Sequence, residues 1–199
     1  MKTDLNTEAR IKEAARIVFI RNGMAGARMQ EIADKAGINK AMLHYYYRSK
    51  EKLFQTIFKE ILDAFVPNIL EILGSDLTLS EKVKQFVNHY IDAIVTNPFL
   101  PLFLFNEMKN HPHQLIGFDR SGALKKLDYQ LKKEANQGNI LLISAPQFMI
   151  NLISMTLFPF LAQPMIMGIF SMDQESFNMF IKQRKTLIPH FIMRAITIK

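Results

Sequence analysis

Apolar residues recur at helical spacing through nearly the whole chain, and polar residues and glycines cut that pattern into short helices. Residues 7–22 place Ile11, Ala14, Ala15, Val18 and Phe19 at the i, i+3, i+4, i+7, i+8 positions of one face. Thr7 can cap this helix and Gly23 can end it in a left-handed conformation. A short helix over 28–35 turns Met29, Ile32, Ala33 and Ala36 inward, and Gly37 supplies the next turn. Asn39 caps a third helix that runs to about Tyr46, and Ser49 caps a long one through Leu73 with Glu51 in its first turn. Residues 1–48 therefore spell helix, turn, short helix, four-residue turn, short helix. In that plan the second helix of the pair enters a DNA major groove.

Beyond Gly74 the pattern predicts a helix capped by Ser80 and ending near Thr96, then another from Pro98 to about Asn110. Residues 111–122 read as a loop, 121–137 as a charged amphipathic helix ending at Gly138, and 173–197 as a last helix. No strand alternation and no internal repeat emerges. The expected fold is all-α: a three-helix helix-turn-helix module over residues 1–49, then a larger helical domain over 50–199.

One segment breaks the pattern. Residues 135–172 form a run of 38 without a single charge, and 140–170 is long enough to span a bilayer. Against a membrane span stand Gln147, Asn151 and Gln163, together with Pro146, Pro159 and Pro164, which free backbone groups that lipid cannot satisfy. The expectation is a helix buried on all sides by its own domain and by a second subunit. In the last helix Phe177, Ile181, Ile188 and Phe191 follow near-heptad steps, interrupted by Arg184. Two such helices from each chain would build a four-helix dimer interface; a core seam without dimerisation has the same pattern.

Charge sharpens the reading of the first module. The chain has 25 Lys+Arg against 18 Asp+Glu, a formal net charge of +7. Residues 1–60 hold 12 of the cations and 7 of the acids, so the basic excess concentrates where the helix-turn-helix pattern lies, as a footprint for phosphates would. At about 100° per residue, Lys40, Ala41 and His44 share one arc of the third helix while Leu43 points away into the module. Lys40 suits guanine O6 or N7, Ala41 offers a methyl to thymine, and His44 reaches either a base edge or open solvent. Arg48 and Lys50, just beyond, lie where a phosphate backbone would run, and tyrosine hydroxyls donate to phosphates. Tyr45, Tyr46 and Tyr47 are consecutive, so they cannot share one job; at least one belongs in the core.

Residues 9–54, above all GMAGARMQEIADKAGINKAMLHYYYRSKEKLF, resemble the DNA-binding region of the TetR (tetracycline-repressor) family of transcriptional regulators. The shared pattern is a helix ending in Gly, an Ile-Ala pair in the second helix, Ala-Gly-Ile at the turn, and a Leu, aromatic, Ser-Lys-Glu and Leu series after it. The resemblance implies base contacts from Gln30, Lys40, Ala41 and His44. It implies phosphate contacts from Tyr46 and Lys50, with Tyr45 at the groove wall and Arg48 and Arg28 as further phosphate donors. Leu43 and Tyr47 fall on core positions, although Phe is usual at the latter, and a buried hydroxyl there needs a partner. The family's Thr or Ser cap on the second helix is replaced here by Ala27 and Arg28.

For the remainder, the resemblance implies a homodimer whose larger domain encloses a small-molecule effector, so that effector binding resets the spacing of two recognition helices. Phe86 with Tyr90, Phe103 with Glu107, and Met149 with Ile153 pair at i, i+4 and are the candidate lining for a largely apolar ligand. No cofactor, metal or membrane partner is expected, and the cytoplasm is the expected compartment. There are no cysteines, which excludes disulfides and thiolate chemistry. No P-loop, GxGxxG, GxSxG or carboxylate pair is present, so an enzyme is not expected; His111 and His113 lack companions at metal-ligand spacing. The competing class is a helical protein that never meets DNA, such as a lipid carrier or membrane-associated factor. Salt-dependent duplex binding separates the two.

Overall fold

The computed structural model describes residues 2–98, 100–110 and 122–198, and among them there are ten helices: α1 Lys2–Gly26, α2 Met29–Ala36, α3 Lys40–Tyr46, α4 Lys50–Gly74, α5 Leu79–Thr96, α6 Leu100–Asn110, α7 Ala123–Asn136, α8 Ala145–Leu161, α9 Gln163–Ile169 and α10 Gln174–Ile196. The chain is all-α; the one β-type pairing among these residues is an isolated bridge between Ile140 and Thr197. Contacts divide it into two compact units, one from residues 1–65 with 102–115 and one from 66–101 with 116–199.

In the first unit, α1 starts earlier than Thr7 and runs past Gly23, whose φ of 66° and ψ of 176° put a kink in it that residues with a Cβ rarely adopt. Ile11, Ala15, Phe19, Ile32, Leu43, Leu53 and Phe54 are buried together, with Phe19 edge-on to Phe54 at 5.0 Å between ring centroids. Gly37 ends α2 in the left-handed region at φ 66°, ψ 39°, and a Cβ there would stand 2.6 Å from Arg10 Nη2. That guanidinium donates to Ala36 O and, at 3.2 Å, to Gly37 O, closing the end of α2.

In the second unit α10 packs on α5 and α8, and α8 also meets α7. Thr78, not Ser80, caps α5: its hydroxyl accepts from Glu81 N while Glu81 accepts from Thr78 N, a capping box that moves the helix start two residues back. Lys82 is only 2% exposed. Its ammonium donates to Leu73 O at 2.8 Å and Gln130 Oε1 at 2.7 Å, satisfying the end of α4. Desolvation holds its pKa below the ordinary lysine value.

Pro159 lies inside α8 and brings no N–H, which leaves the Met155 carbonyl without its helical donor. Arg184 Nη2 donates to that oxygen at 2.5 Å, which explains the arginine in the apolar stripe of α10. Arg184→Met should lower stability by about 1–3 kcal/mol, the cost of an orphaned polar group. In a Pro159→Ala background, where residue 159 regains its N–H, the same substitution should cost less than half as much. Urea unfolding of the four proteins measures both.

Among the described residues no single helix is long and apolar enough to cross a membrane; α8 and α9 reach the length only together, bent by 73° at the break. Phe148, Leu152 and Thr156 of α8 are buried within the second unit.

Candidate nucleic-acid interface

The short helix α3 is built to present one face. Asn39 accepts from Met42 N at 2.7 Å through its side chain and fixes the start. Leu43 is fully buried and pins the helix from below. Lys40, Ala41, His44 and Arg48 are all exposed, so the residues expected to read bases share an open face opposite the anchor. Tyr47 ends the helix with an extended conformation, φ −132° and ψ 103°, which turns the chain into α4. Ser49 Oγ accepts from Lys52 N at 3.1 Å and caps that helix.

The three tyrosines separate as helical rotation requires. Tyr45 is 82% exposed, Tyr46 is half-buried and meets it edge-on at 5.5 Å, and Tyr47 is buried. The buried hydroxyl has its partner: Tyr47 Oη donates to Glu8 Oε1 at 3.1 Å. Burial, then the hydrogen bond to Glu8, pushes the Tyr47 phenol up to about 12. Because the folded value lies above the ordinary phenol value of 10.0, this contributes stability that is complete below pH 10 and is lost as pH rises toward 12. Glu8→Gln should bring the Tyr47 titration down toward 10, read as phenolate absorbance against pH.

Of the other phosphate candidates, Arg28 is exposed and stands at the N-cap of α2 with no side-chain capping bond, as the missing hydroxyl predicted. A guanidinium carries only donors, so it cannot cap the N–H groups there. Lys50 is half-buried and donates to Ala27 O at 3.2 Å, holding the α1–α2 connection with one of its three donors. Gln30 is exposed and donates to Asp34 Oδ1 at 2.7 Å, a bond it must release to reach a base.

The structure places two further groups of expected site residues. Phe177, Ile181 and Ile188 are buried inside the single protomer, so they cannot offer a surface to a second one. Of the four proposed interface residues only Phe191 is exposed. The exposed apolar residues of α10 are Met179, Leu187 and Phe191, on the side away from the core stripe, and α8 exposes Ile150 and Phe158. In the candidate effector set, Phe103 and Glu107 belong to the first unit. Phe103 packs at 6.0 Å against Phe54 and 5.9 Å against Phe58. Glu107, only 6% exposed, accepts from Met24 N at 3.4 Å beside the Gly23 kink. These two are already committed to packing and capping there.

The remaining four lie in the second unit. Phe86 is buried and stacks with Tyr90 at 5.4 Å. Burial pushes the Tyr90 phenol up to about 12, and Met149 and Ile153 are half-buried. A groove of about 270 Å³ in the same unit is lined by different residues, among them Phe148, Asn151, Met155, Phe191 and Ile196. Sequence spacing had not singled that groove out, because its lining comes from two helices far apart in the sequence. The 111–113 His-Pro-His stretch lies outside the described residues; within them no group of three His, Cys, Asp or Glu is placed to hold a metal.

Residues 11–57 match the family model described as bacterial regulatory proteins, tetR family. The chain is 32% identical over 101 residues to the HTH-type transcriptional repressor SCO4008 of Streptomyces coelicolor, covering 51% of this chain and 49% of that protein. It is likewise 32% identical over 118 residues to the HTH-type transcriptional regulator RutR of Escherichia coli K12, covering 59% of this chain and 54% of that one. The chain thus spans about half the length of the curated relatives it matches. These relatives are named as regulators of transcription and not as enzymes. Among solved structures, a mutant HlyIIR protein is 25% identical with a TM-score of 0.65 over 98% of this chain and all of that one. The ketosteroid regulator KstR2 of Mycobacterium tuberculosis shares the fold at 15% identity, with a TM-score of 0.69 over 96% of this chain and 95% of that one.

Proposed function

We propose that the chain, whose residues 11–57 match the tetR-family model, is a cytoplasmic, DNA-binding transcriptional repressor of that family, released from its operator by a small, largely apolar effector. The observation that carries this reading is the open face of α3, where Lys40, Ala41 and His44 are exposed while Leu43 is sealed beneath them. Lys40 and His44 read base edges in the major groove, Ala41 meets a thymine methyl, and Gln30 adds a contact from α2. Arg28, Tyr45, Tyr46, Arg48 and the free donors of Lys50 hold phosphates. The reading takes residues 1–49 as the DNA-binding domain and 50–199 as the sensing and dimerising domain.

The protein acts as a homodimer, joined by α8 and α10 through the exposed side of each helix. Two α3 helices then address half-sites about one DNA turn apart. The effector lies in the second unit near Phe86, Tyr90, Met149 and Ile153, and shifts the dimer only as far as it binds one conformation better than the other. Selection of bound sequences from a random duplex pool tests the DNA reading: an inverted repeat with half-sites about 10 base pairs apart is expected, and recovery of no sequence preference would count against it. Screening small apolar compounds for release of the selected duplex then tests the effector.

A further inference from the structure

One phenol and four charged side chains run in a connected line across the first unit. Tyr47, which closes α3, donates to Glu8 Oε1 of α1 at 3.1 Å. The same oxygen lies 3.4 Å from Lys12 Nζ, whose ammonium reaches Glu60 Oε1 of α4 at 2.9 Å. The second Glu60 oxygen lies 3.5 Å from Arg16 Nη2. The ion pairs are part-exposed, and isolated pairs of that kind add little stability. A continuous network is different, because each member fixes the position of the next. The hydrogen bond that Lys12 donates to Glu60 leads the causes that raise the Lys12 pKa, and Glu8 helps keep the Tyr47 phenol protonated.

The ring of a phenylalanine would fill the Tyr47 site equally well, so the hydroxyl adds only the tie to Glu8. α1 is also the hub for the other side of the recognition element, since Arg10 holds the α2–α3 turn through Ala36 O and Gly37 O. Covalently, α3 and α4 are joined by only Tyr47, Arg48 and Ser49.

We propose that Glu60, Lys12, Glu8 and the Tyr47 hydroxyl form a positioning relay, through which α4 sets the attitude of the recognition helix by way of α1. Tyr47 touches no DNA in this scheme; it is a positioning residue, and its hydroxyl is a determinant of sequence discrimination. The functional consequence rests on the DNA-binding reading, whereas the relay itself does not.

Amide hydrogen exchange of the full chain without DNA tests the relay. The reporters are Leu43 N, bonded to Asn39 O at 3.1 Å, and Tyr47 N, bonded to Leu43 O at 2.8 Å. Glu60→Gln should speed exchange at both about fivefold, the weight of one net hydrogen bond, although Glu60 lies on another helix. Tyr47→Phe should do the same, and the double variant no more than either alone. Lys12→Met should reproduce the effect and Lys12→Arg should keep wild-type protection. In duplex binding, Tyr47→Phe should weaken the best selected duplex about fivefold and a scrambled one of equal length less than about twofold. Unchanged α3 exchange in Glu60→Gln, or fully additive effects in the double variant, would overturn the relay. Failure of the wild-type protein to bind any duplex would instead strike the DNA-binding reading, leaving the exchange result to decide the relay by itself.

Discussion

Replacing Leu187 and Phe191 together with glutamate is expected to split the protein into folded monomers and to lower its affinity for a two-half-site duplex by about a hundredfold or more. Leu187 is 54% and Phe191 57% exposed in the single chain, so neither supports the protomer's own core and the variant should keep its helical signal and its melting behaviour. Both project from the outer side of α10, with Met179 further along it. α8 contributes a matching uncharged stripe of Gln147, Ile150, Asn151, Ser154 and Phe158, all exposed. Exposed large apolar side chains clustered on a folded chain in this way signal an occupant. A two-fold related copy would meet itself there, so one substitution introduces charge twice across the interface. The affinity loss follows because two linked half-site contacts become two independent ones. Sedimentation velocity reads the assembly state and fluorescence anisotropy the affinity. A variant that remains dimeric, or a monomer that keeps full affinity, would contradict the account. The core counterpart Ile188→Glu should instead unfold the chain, because Ile188 is fully buried.

The second large effect concerns the division of labour on α3. Lys40→Ala should reduce affinity for the selected duplex by about 1–3 kcal/mol, roughly tenfold to a hundredfold, and relax the preference at one base pair in each half-site. His44→Ala should relax a different base pair, since the two side chains stand one helical turn apart. Lys50→Ala should behave otherwise, weakening all duplexes alike and reducing the salt slope by about one. The bond from Lys50 to Ala27 O adds a structural component to that variant, so Lys50→Met with its stability measured is the better comparison. If Lys40 and Lys50 variants shifted sequence preference and salt slope identically, the separation into readers and anchors would be wrong.

The first module was legible almost residue by residue, for physical reasons. Its signals are local: a cap at Asn39, a left-handed glycine at Gly37, and apolar residues at one helical spacing. Helical rotation required at least one of the three tyrosines to be buried and the family resemblance pointed to Tyr47, but Glu8 as its partner followed from neither, because it lies 39 residues away. In the second unit, periodicity identified the helices and then misled about their faces. Core and interface are both apolar at heptad spacing, and only the fold says which stripe of α10 faces inward. A usable signal was present: α10 carries two apolar stripes, Phe177–Ile181–Ile188 and Met179–Leu187–Phe191, where a surface helix needs one. The surroundings of Glu107 were hidden for a similar reason. It interrupts an apolar run, which marks it as special without saying that its partner is a backbone N–H at a kink in α1.

Binding of duplex DNA by the open face of α3 is open to direct measurement. The most direct measurement is the affinity of the protein for the best selected duplex, taken by fluorescence anisotropy across a salt series, beside Lys40→Ala. Affinity should fall steeply and log-linearly with salt, with several phosphate contacts in the slope. Lys40→Ala should lower specific affinity by about tenfold or more while leaving binding to a scrambled duplex and the slope nearly unchanged. Salt-independent association, or a Lys40→Ala protein that reads the selected duplex as well as the wild type, would rule out α3 as the DNA-reading helix.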